Sequence, residues 1–309
     1  MTNVTKLTVG TRASQMALAQ TGIVIQALKA RSPDIAVTVT KITTKGDVTD
    51  TPIPLDTVGK AWFTKEIEQA LIDGTIDFAV HSLKDLPPET PPGLAIVPVL
   101  VRDDPRDVLV CNTHKTLAQL PKGAIIGTDS LRRKALLLQQ RPDVQVKSVR
   151  GNANTRLQKM QHGEYDALVM AAAGLERIQC TGAITEYFDP TVFVPAIGQG
   201  ALAIEVRVDQ PEMRALFSAI QDETTLRAIA AERAFAEIVG GGCKLPVACY
   251  VHFENDLAYI HGLVGSMDAA ECSIQTVSGP ASDAVSLAEQ LARELAKEPF
   301  VADYNEAVR

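Results

Sequence analysis

Cysteine is scarce and unpaired in this chain: Cys111, Cys180, Cys243, Cys249 and Cys272 are odd in number, widely spaced and without a C-x-x-C element. That pattern excludes a disulfide framework and a zinc cage, leaves no metal site to expect, and fits reduced thiols in a cytoplasmic protein. Basic charge is also in deficit. A net charge of −7 argues against a general nucleic-acid binder, because gripping phosphates needs a basic surface. No apolar run approaches the length of a membrane span, so no membrane partner is expected. The opening Met1-Thr2-Asn3-Val4-Thr5-Lys6 runs into a strand-like segment, which leaves no room for a signal or transit peptide. G-x-x-x-x-G-K-[ST], G-x-G-x-x-G, the serine-hydrolase elbow and HExxH are all missing, which removes the common nucleotide, esterase and metalloprotease readings. Nor is there a disorder signature: 46% hydrophobic and 22% charged residues are ordinary for a globular protein.

What is present is a βαβ rhythm. Strand-like runs at 7–9, 35–39 and 76–80 alternate with helical patterns at 14–29 and 64–73, the second closed by Gly74. A proline-rich break at 87–93 precedes a strand at 94–101, and Arg102-Asp103-Asp104-Pro105 reads as a crossing into a second unit. There the rhythm repeats: strands at 124–126, 144–149 and 167–171, helices at 131–140 and 155–161. The run 201–206 is a further buried strand that fits either sheet. From about 224 the pattern changes to a helix at 226–239, strands at 247–253, 257–264 and 273–277, and an amphipathic helix at 284–297. These features divide the chain into an α/β domain of 1–101 plus about 200–222, a second α/β domain of 102–199, and a small α+β domain of 223–309.

Gly240-Gly241-Gly242-Cys243 sets one thiol behind a glycine run that neither helix nor strand tolerates well. Two readings stand for Cys243 on this segment alone: a structural cysteine after a flexible loop, or an attachment point. A pairing of Cys243 with His252 or His261 has no positional support.

The arginines are more specific. Between 124 and 159, Arg132, Arg133, Lys134, Arg141, Lys147, Arg150, Arg156 and Lys159 face only Asp129 and Asp143. Arg132, Arg133 and Arg156 fall in first turns of helices, where the helix dipole disfavours cations, so their placement needs another reason. Together with Arg12 and Arg150 they follow strand ends, where open α/β sheets bind ligands. Guanidinium forks pair with planar carboxylates, and the economical inference is a polycarboxylate ligand. Lys134, Arg141, Lys147 and Lys159 read as a solvated helix face. Two copies of a Gly-Thr turn with a capping serine, at Ser14 and Ser130, add anion-attracting helix starts.

His81-Ser82-Leu83-Lys84-Asp85-Leu86-Pro87 follows a strand end, so Asp85 can stabilise a cation or shuttle a proton, or simply pair with Lys84 in a turn. His81 alone reads as a satisfied polar residue. Gly198-Gln199-Gly200 is either a hinge or a tight turn.

In order and spacing, several segments resemble the porphobilinogen deaminases, also called hydroxymethylbilane synthases. They are GTRASQMALAQ at 10–20, GKAWFTKEIEQAL at 59–71, AVHSLKDLP at 79–87, GTDSLRRKALL at 127–137, RGNANTRLQKM at 150–160, PAIGQGALAIEVR at 195–207 and ERAFAEIVGGGCKLPV at 232–247. The resemblance implies two α/β domains of the type II periplasmic-binding-protein kind plus a small α+β domain. It implies a transferase of tetrapyrrole (heme) biosynthesis that condenses four porphobilinogen molecules head to tail on a covalent dipyrromethane and releases hydroxymethylbilane by hydrolysis. Loss of ammonia from each unit leaves an azafulvene cation for a catalytic carboxylate to stabilise.

By motif match, Asp85 is the catalytic residue and Cys243 holds the dipyrromethane through a thioether. The same match assigns Arg12, Ser14, Lys84, Asp85, Ser130, Arg132, Arg133, Arg150 and Gly151 to the cofactor. It assigns Arg12, Arg150, Arg156, Arg177, Gln199, Lys60 and Ser82 to the substrate. A monomer is expected. Ala61, Asp129 and Gly240 depart from the family pattern, and Asp129 is expected to place a negative charge near Arg132. The rival reading is a non-catalytic bilobal protein that grips an anion between its lobes.

Overall fold

The computed structural model describes residues 6–48, 64–87, 90–113, 115–240 and 245–304; Lys60, Ala61 and Cys243 lie outside them. In chain order the first elements are β1 (Lys6–Thr11), α1 (Gln15–Arg31), β2 (Ala36–Lys41), α2 (Lys45–Val48), α3 (Lys65–Ile72), β3 (Phe78–Ser82) and β4 (Leu94–Val99). The chain then forms β5 (Asp107–Cys111), β6 (Ile125–Gly127), α4 (Leu131–Gln140), β7 (Gln145–Lys147), α5 (Ala153–Gln161), β8 (Ala167–Ala171), α6 (Ala172–Arg177) and β9 (Ile184–Tyr187). It continues through β10 (Leu202–Arg207), α7 (Pro211–Ser218), α8 (Glu223–Val239), β11 (Val247–Glu254), β12 (Leu257–Gly265), β13 (Cys272–Pro280) and α9 (Ala284–Leu295).

Local chemistry sets the helix starts. Ser14, Ser130 and Asn152 each accept a hydrogen bond from a backbone N–H one turn on, at 3.2, 3.4 and 3.0 Å, and so cap α1, α4 and α5. All three helices begin just after the C-terminal end of a strand or its following turn.

The first sheet has the order β2-β1-β3-β10-β4, with β1, β2 and β3 parallel and β10 antiparallel to both its neighbours. The second, β7-β6-β8-β5-β9, has the same plan: β6, β7 and β8 are parallel and β5 runs against β8. In each domain the reversed strand is delivered by the chain arriving from the other one. That exchange makes the type II periplasmic-binding-protein arrangement, two α/β domains with a cleft between them, completed here by a small α+β domain. The run at 201–206, open between two sheets on sequence grounds, is β10 of the first.

In the third domain, β11, β12 and β13 form an antiparallel sheet with two apolar faces. Val247, Cys249 and Val251 pack against Phe235 of α8 and Leu291 of α9. Their neighbours across the pleat, Ala248 of β11 and Leu263 of β12, pack into the core of the second domain beside Leu136 and Phe193. Helix α8 also reaches the first domain, where Ile229 packs on Leu83 and Leu86. Burying each such aliphatic side chain contributes about 1.5–3 kcal/mol, so the turn carrying Asp85 is seated on α8.

One carboxylate ties the three domains together. Glu232 of α8, fully buried, accepts from Arg102 Nη1 at 2.5 Å, from the backbone N–H of Gly198 at 2.7 Å and from that of Val251 at 3.0 Å. Arg102 lies on the crossing from the first domain to the second, and Gly198 on the return. A charge taken wholly out of water needs this many partners to be tolerated.

Candidate active site

Strand β3 ends at Ser82 and the chain turns through a 3-10 turn, Leu83–Asp85, closed by the N–H of Leu86 on the carbonyl of Leu83. Leu83 points into the core; Lys84 and Asp85 point into the cleft. A cavity of about 560 Å³ opens there. From the first domain it is lined by Arg12, Ser14, His81, Ser82, Lys84 and Asp85. From the second come Arg133, Arg150, Gly151 and Arg156. A smaller cavity of about 170 Å³ shares Lys84, Asp85 and Arg133 and adds Ser130, Arg132 and Gln199. Its far wall is the third domain: Arg233, Ala236, Leu245 and Val247. Leu245 is the second residue after Cys243 in the sequence.

The misplaced arginines now have their physical reason. Arg132 Nη1 donates to Asp107 Oδ2 at 2.7 Å and to the carbonyl of Val194 at 2.7 Å. Arg133 grips the same carboxylate from the other side, Nε and Nη2 donating to Oδ1 at 3.0 and 2.7 Å. Burial by itself would push the Asp107 carboxyl up, but the charges of Arg132 and Arg133 outweigh it and hold the group well below the ordinary carboxylate range. Gln199 links this cluster to the first domain: its Nε2 donates to Asp107 Oδ1 at 2.9 Å, while its Oε1 accepts from Lys84 Nζ at 3.2 Å. Burial, and then the charge of Arg133, lower the Lys84 ammonium from its ordinary 10.5 to about 8.

Arg150 and Arg156 are held more loosely. Arg156 Nε donates to the carbonyl of Gly151 at 2.8 Å, and Gly151 adopts φ 109, a backbone conformation that side-chain-bearing residues avoid. Burial, followed by the neighbouring charge of Arg133, lowers the Arg156 guanidinium, so an anionic ligand would be welcome there. Asp129 pairs with Arg150, Oδ2 to Nε at 3.0 Å, and accepts from the Ser148 hydroxyl. Arg132 turns inward to Asp107, and the carboxylate of Asp129, expected to bring a negative charge near Arg132, forms its ion pair with Arg150.

Two further expectations end elsewhere. Arg177 is not brought to either cavity: its Nε and Nη2 donate to Asp103 Oδ2 at 2.9 Å and to the carbonyl of Gly200 at 2.6 Å, which clasps the two chain crossings. Arg141 is no solvated cation either, since it donates to Asp143 and to the carbonyls of Leu117 and Leu120. Lys60 and Cys243 lie outside the described residues.

Sequence reasoning missed Asp107, Arg233, Thr64, Glu68 and Glu205. Glu205 carried a usable signal, an acid in the otherwise apolar Leu202-Ala203-Ile204-Glu205-Val206. Among the described residues no helix is long and apolar enough to cross a membrane, and no group of three or more metal-ligating side chains occurs.

Comparison with known proteins agrees with this geometry. Residues 7–215 match the family profile described as porphobilinogen deaminase, dipyromethane cofactor binding domain, and residues 226–298 match porphobilinogen deaminase, C-terminal domain. The porphobilinogen deaminase of Roseiflexus sp. is 45% identical over 290 residues, 94% of this chain and 95% of that one. That of Brevibacillus brevis is 45% identical over 293 residues, 94% of each. Among solved structures, a putative methionine-binding lipoprotein from Bacillus subtilis superposes with a TM-score of 0.45 at 13% identity, covering 72% of this chain and 92% of the other. On the profile matches and the relatives, which span nearly its whole length, the chain belongs to the porphobilinogen deaminase family.

Proposed function

We propose that the cleft between the first two domains is where porphobilinogen is bound, deaminated and joined, with Asp85 as the catalytic carboxylate and Cys243 as the thioether anchor of the dipyrromethane. The activity is the family's own, the condensation of porphobilinogen to hydroxymethylbilane in tetrapyrrole biosynthesis. The observation that carries the assignment is the charge pattern of the cavity walls. Asp85 is the one acidic side chain among the described residues lining either cavity, and it stands among Arg12, Arg133, Arg150, Arg156 and Lys84. A lone carboxylate in a ring of cations suits a ligand whose outside is anionic and whose reacting centre becomes positive.

The donor set fits a dipyrromethane, because each of its pyrroles carries two carboxylates and the walls offer guanidinium, ammonium and hydroxyl donors on three sides. When bound, that group supplies the free pyrrole carbon that each new unit extends. Ser14, Ser130, Arg132, Arg133, Arg150 and Gly151 hold its side chains, the buried pair acting as a fixed positive wall anchored on Asp107. Arg12 and Arg156, with Ser82 and Lys60, take the carboxylates of the incoming substrate. Lys84 and Gln199 bridge the domains beside Asp85, and Arg177 contributes through the crossings it clasps. Asp85 would offset the positive charge that develops on the bound pyrrole as ammonia leaves. Leu245 and Val247 give the cavity an apolar end that keeps water from the reacting carbon.

The same reading divides the chain at about 101, 200 and 222 and takes it as a cytoplasmic monomer without nucleic-acid or membrane partners. Cys111, Cys180, Cys249 and Cys272 are free thiols, which supports a reducing compartment. Family membership disfavours the non-catalytic anion binder. The test is Asp85→Ala: the variant folds, shown by an unchanged unfolding transition, and loses turnover. A near-normal rate would remove Asp85 from the chemistry.

A further inference from the structure

Beneath the Asp85 turn lies a buried acid–base cluster that the mechanism above does not use. His81 of β3 lines the larger cavity, and its Nε2 lies 3.0 Å from Oε2 of Glu205 on β10. Glu205 is wholly buried and its other oxygen, Oε1, has no hydrogen-bond partner. A buried carboxylate satisfied on one oxygen only is costly unless its partner carries or shares a proton, so Glu205 fixes the proton of His81 on Nε2. The second ring nitrogen, Nδ1, is then the basic one, and no described residue forms a hydrogen bond to it.

We propose that His81, oriented by Glu205, is the general base that removes the proton each condensation sheds; this rests on the cleft reading given above. In each cycle a C–C bond forms between the free α-carbon of the terminal pyrrole and the methylene carbon of the incoming unit. The C–N bond of that unit breaks, and its electron pair leaves with ammonia. The attacking α-carbon then gives up its hydrogen as a proton, the C–H pair returning to the ring. His81 Nδ1 accepts the proton and passes it to the ammonia already released from that unit, which leaves the cleft as ammonium, so the site is reset without an external acid or base.

The surroundings favour a proton carrier. Helix α3 presents Glu68, whose carboxyl burial pushes up and whose Oε1 accepts from the Thr64 hydroxyl at 2.5 Å. The charged groups near His81 are thus Glu205 from β10, Glu68 from α3, and Lys84 and Asp85 from the following turn. Helix α1 faces the strand end with Gln20, which donates to the Ser82 hydroxyl at 2.6 Å and carries no charge. Asp85 lines both cavities among the cations and is suited to hold positive charge, while the proton goes to His81.

Three variants and two kinds of readout test this. In His81→Gln, kcat falls about 100-fold with KM little changed, and porphobilinogen deuterated at its free α-position turns over more slowly than the protiated substrate. In Glu205→Gln, which cannot orient the ring in the same way, kcat falls with KM little changed, and Glu205→Asp, which keeps the carboxylate, recovers most of the rate. An unchanged kcat and the absence of an isotope effect in His81→Gln overturn the proposal. If that variant does not fold, a wild-type kcat in Glu205→Gln overturns it. A near-normal rate in Asp85→Ala is a different failure, of the cleft reading itself.

Discussion

Arg133 is held by Asp107 through two donors on one oxygen, at 2.7 and 3.0 Å, while the other oxygen of the same carboxylate holds Arg132. A single buried acid therefore fixes two cations at the wall of the cleft. Asp107→Asn should cost about 3–5 kcal/mol of stability, because two buried guanidinium groups lose their counter-charge. Denaturant unfolding measures it; a loss below about 1 kcal/mol would mean that the cluster relaxes into water.

The same carboxylate makes stability fall in acid. Its folded-state value is depressed, so the unfolded chain takes up a proton first, near the ordinary pH of about 4. The contribution is complete above that pH and is lost progressively below it. The wild-type protein should lose unfolding free energy as pH falls from 5, and Asp107→Asn should lose less over the same range.

Lys84 predicts a basic limb. With its ammonium lowered to about 8, the free enzyme loses a cleft cation as pH rises through that value. kcat/KM for the anionic substrate should decline there, and Lys84→Arg, charged throughout, should lack this decline. A limb that persists unchanged in the arginine variant would assign it to another group.

Arg156 and Arg177 should separate cleanly. Arg156→Ala removes a cavity donor and should raise KM about tenfold or more, the worth of one charge-assisted contact, with little change in unfolding. Arg177→Ala breaks the clasp on Asp103 and Gly200 and should lower the unfolding midpoint, with KM affected less. Equal KM effects in the two variants would return Arg177 to the substrate.

Gly200 joins the crossings at φ 90, and a Cβ there would stand 2.4 Å from the backbone oxygen of Asp103. Gly200→Ala should destabilise by at least about 1–3 kcal/mol, which thermal unfolding measures, since both strain and a backbone clash must be relieved.

Helix α4 and strand β8 were legible in the sequence to the residue, because a capping serine and a compact apolar run are local signals. Strands β5 and β9 were not. β5 is a fully buried run that follows the crossing directly, and it becomes a strand by pairing with β8, some sixty residues on. The arginines betrayed themselves by sitting at helix starts, which needed an explanation. Asp107, the group that supplies it, is an acid at the start of an unrecognised strand. Its importance arises only when β5 lies beside α4. Arg233 reads as an ordinary helical cation, and only the packing of α8 against the Asp85 turn turns it into a cavity wall. His81 looked like a satisfied polar residue, and its partner Glu205 is distant in the chain and joined to it by the β3–β10 pairing.

The central claim is that this cleft works on a pyrrole primer anchored at Cys243. The mass of the purified intact chain tests it most directly. An excess equal to two linked pyrrole units, present in the wild type and missing in Cys243→Ser together with turnover, is the predicted result. An active wild-type protein with the unmodified mass of its sequence would contradict it.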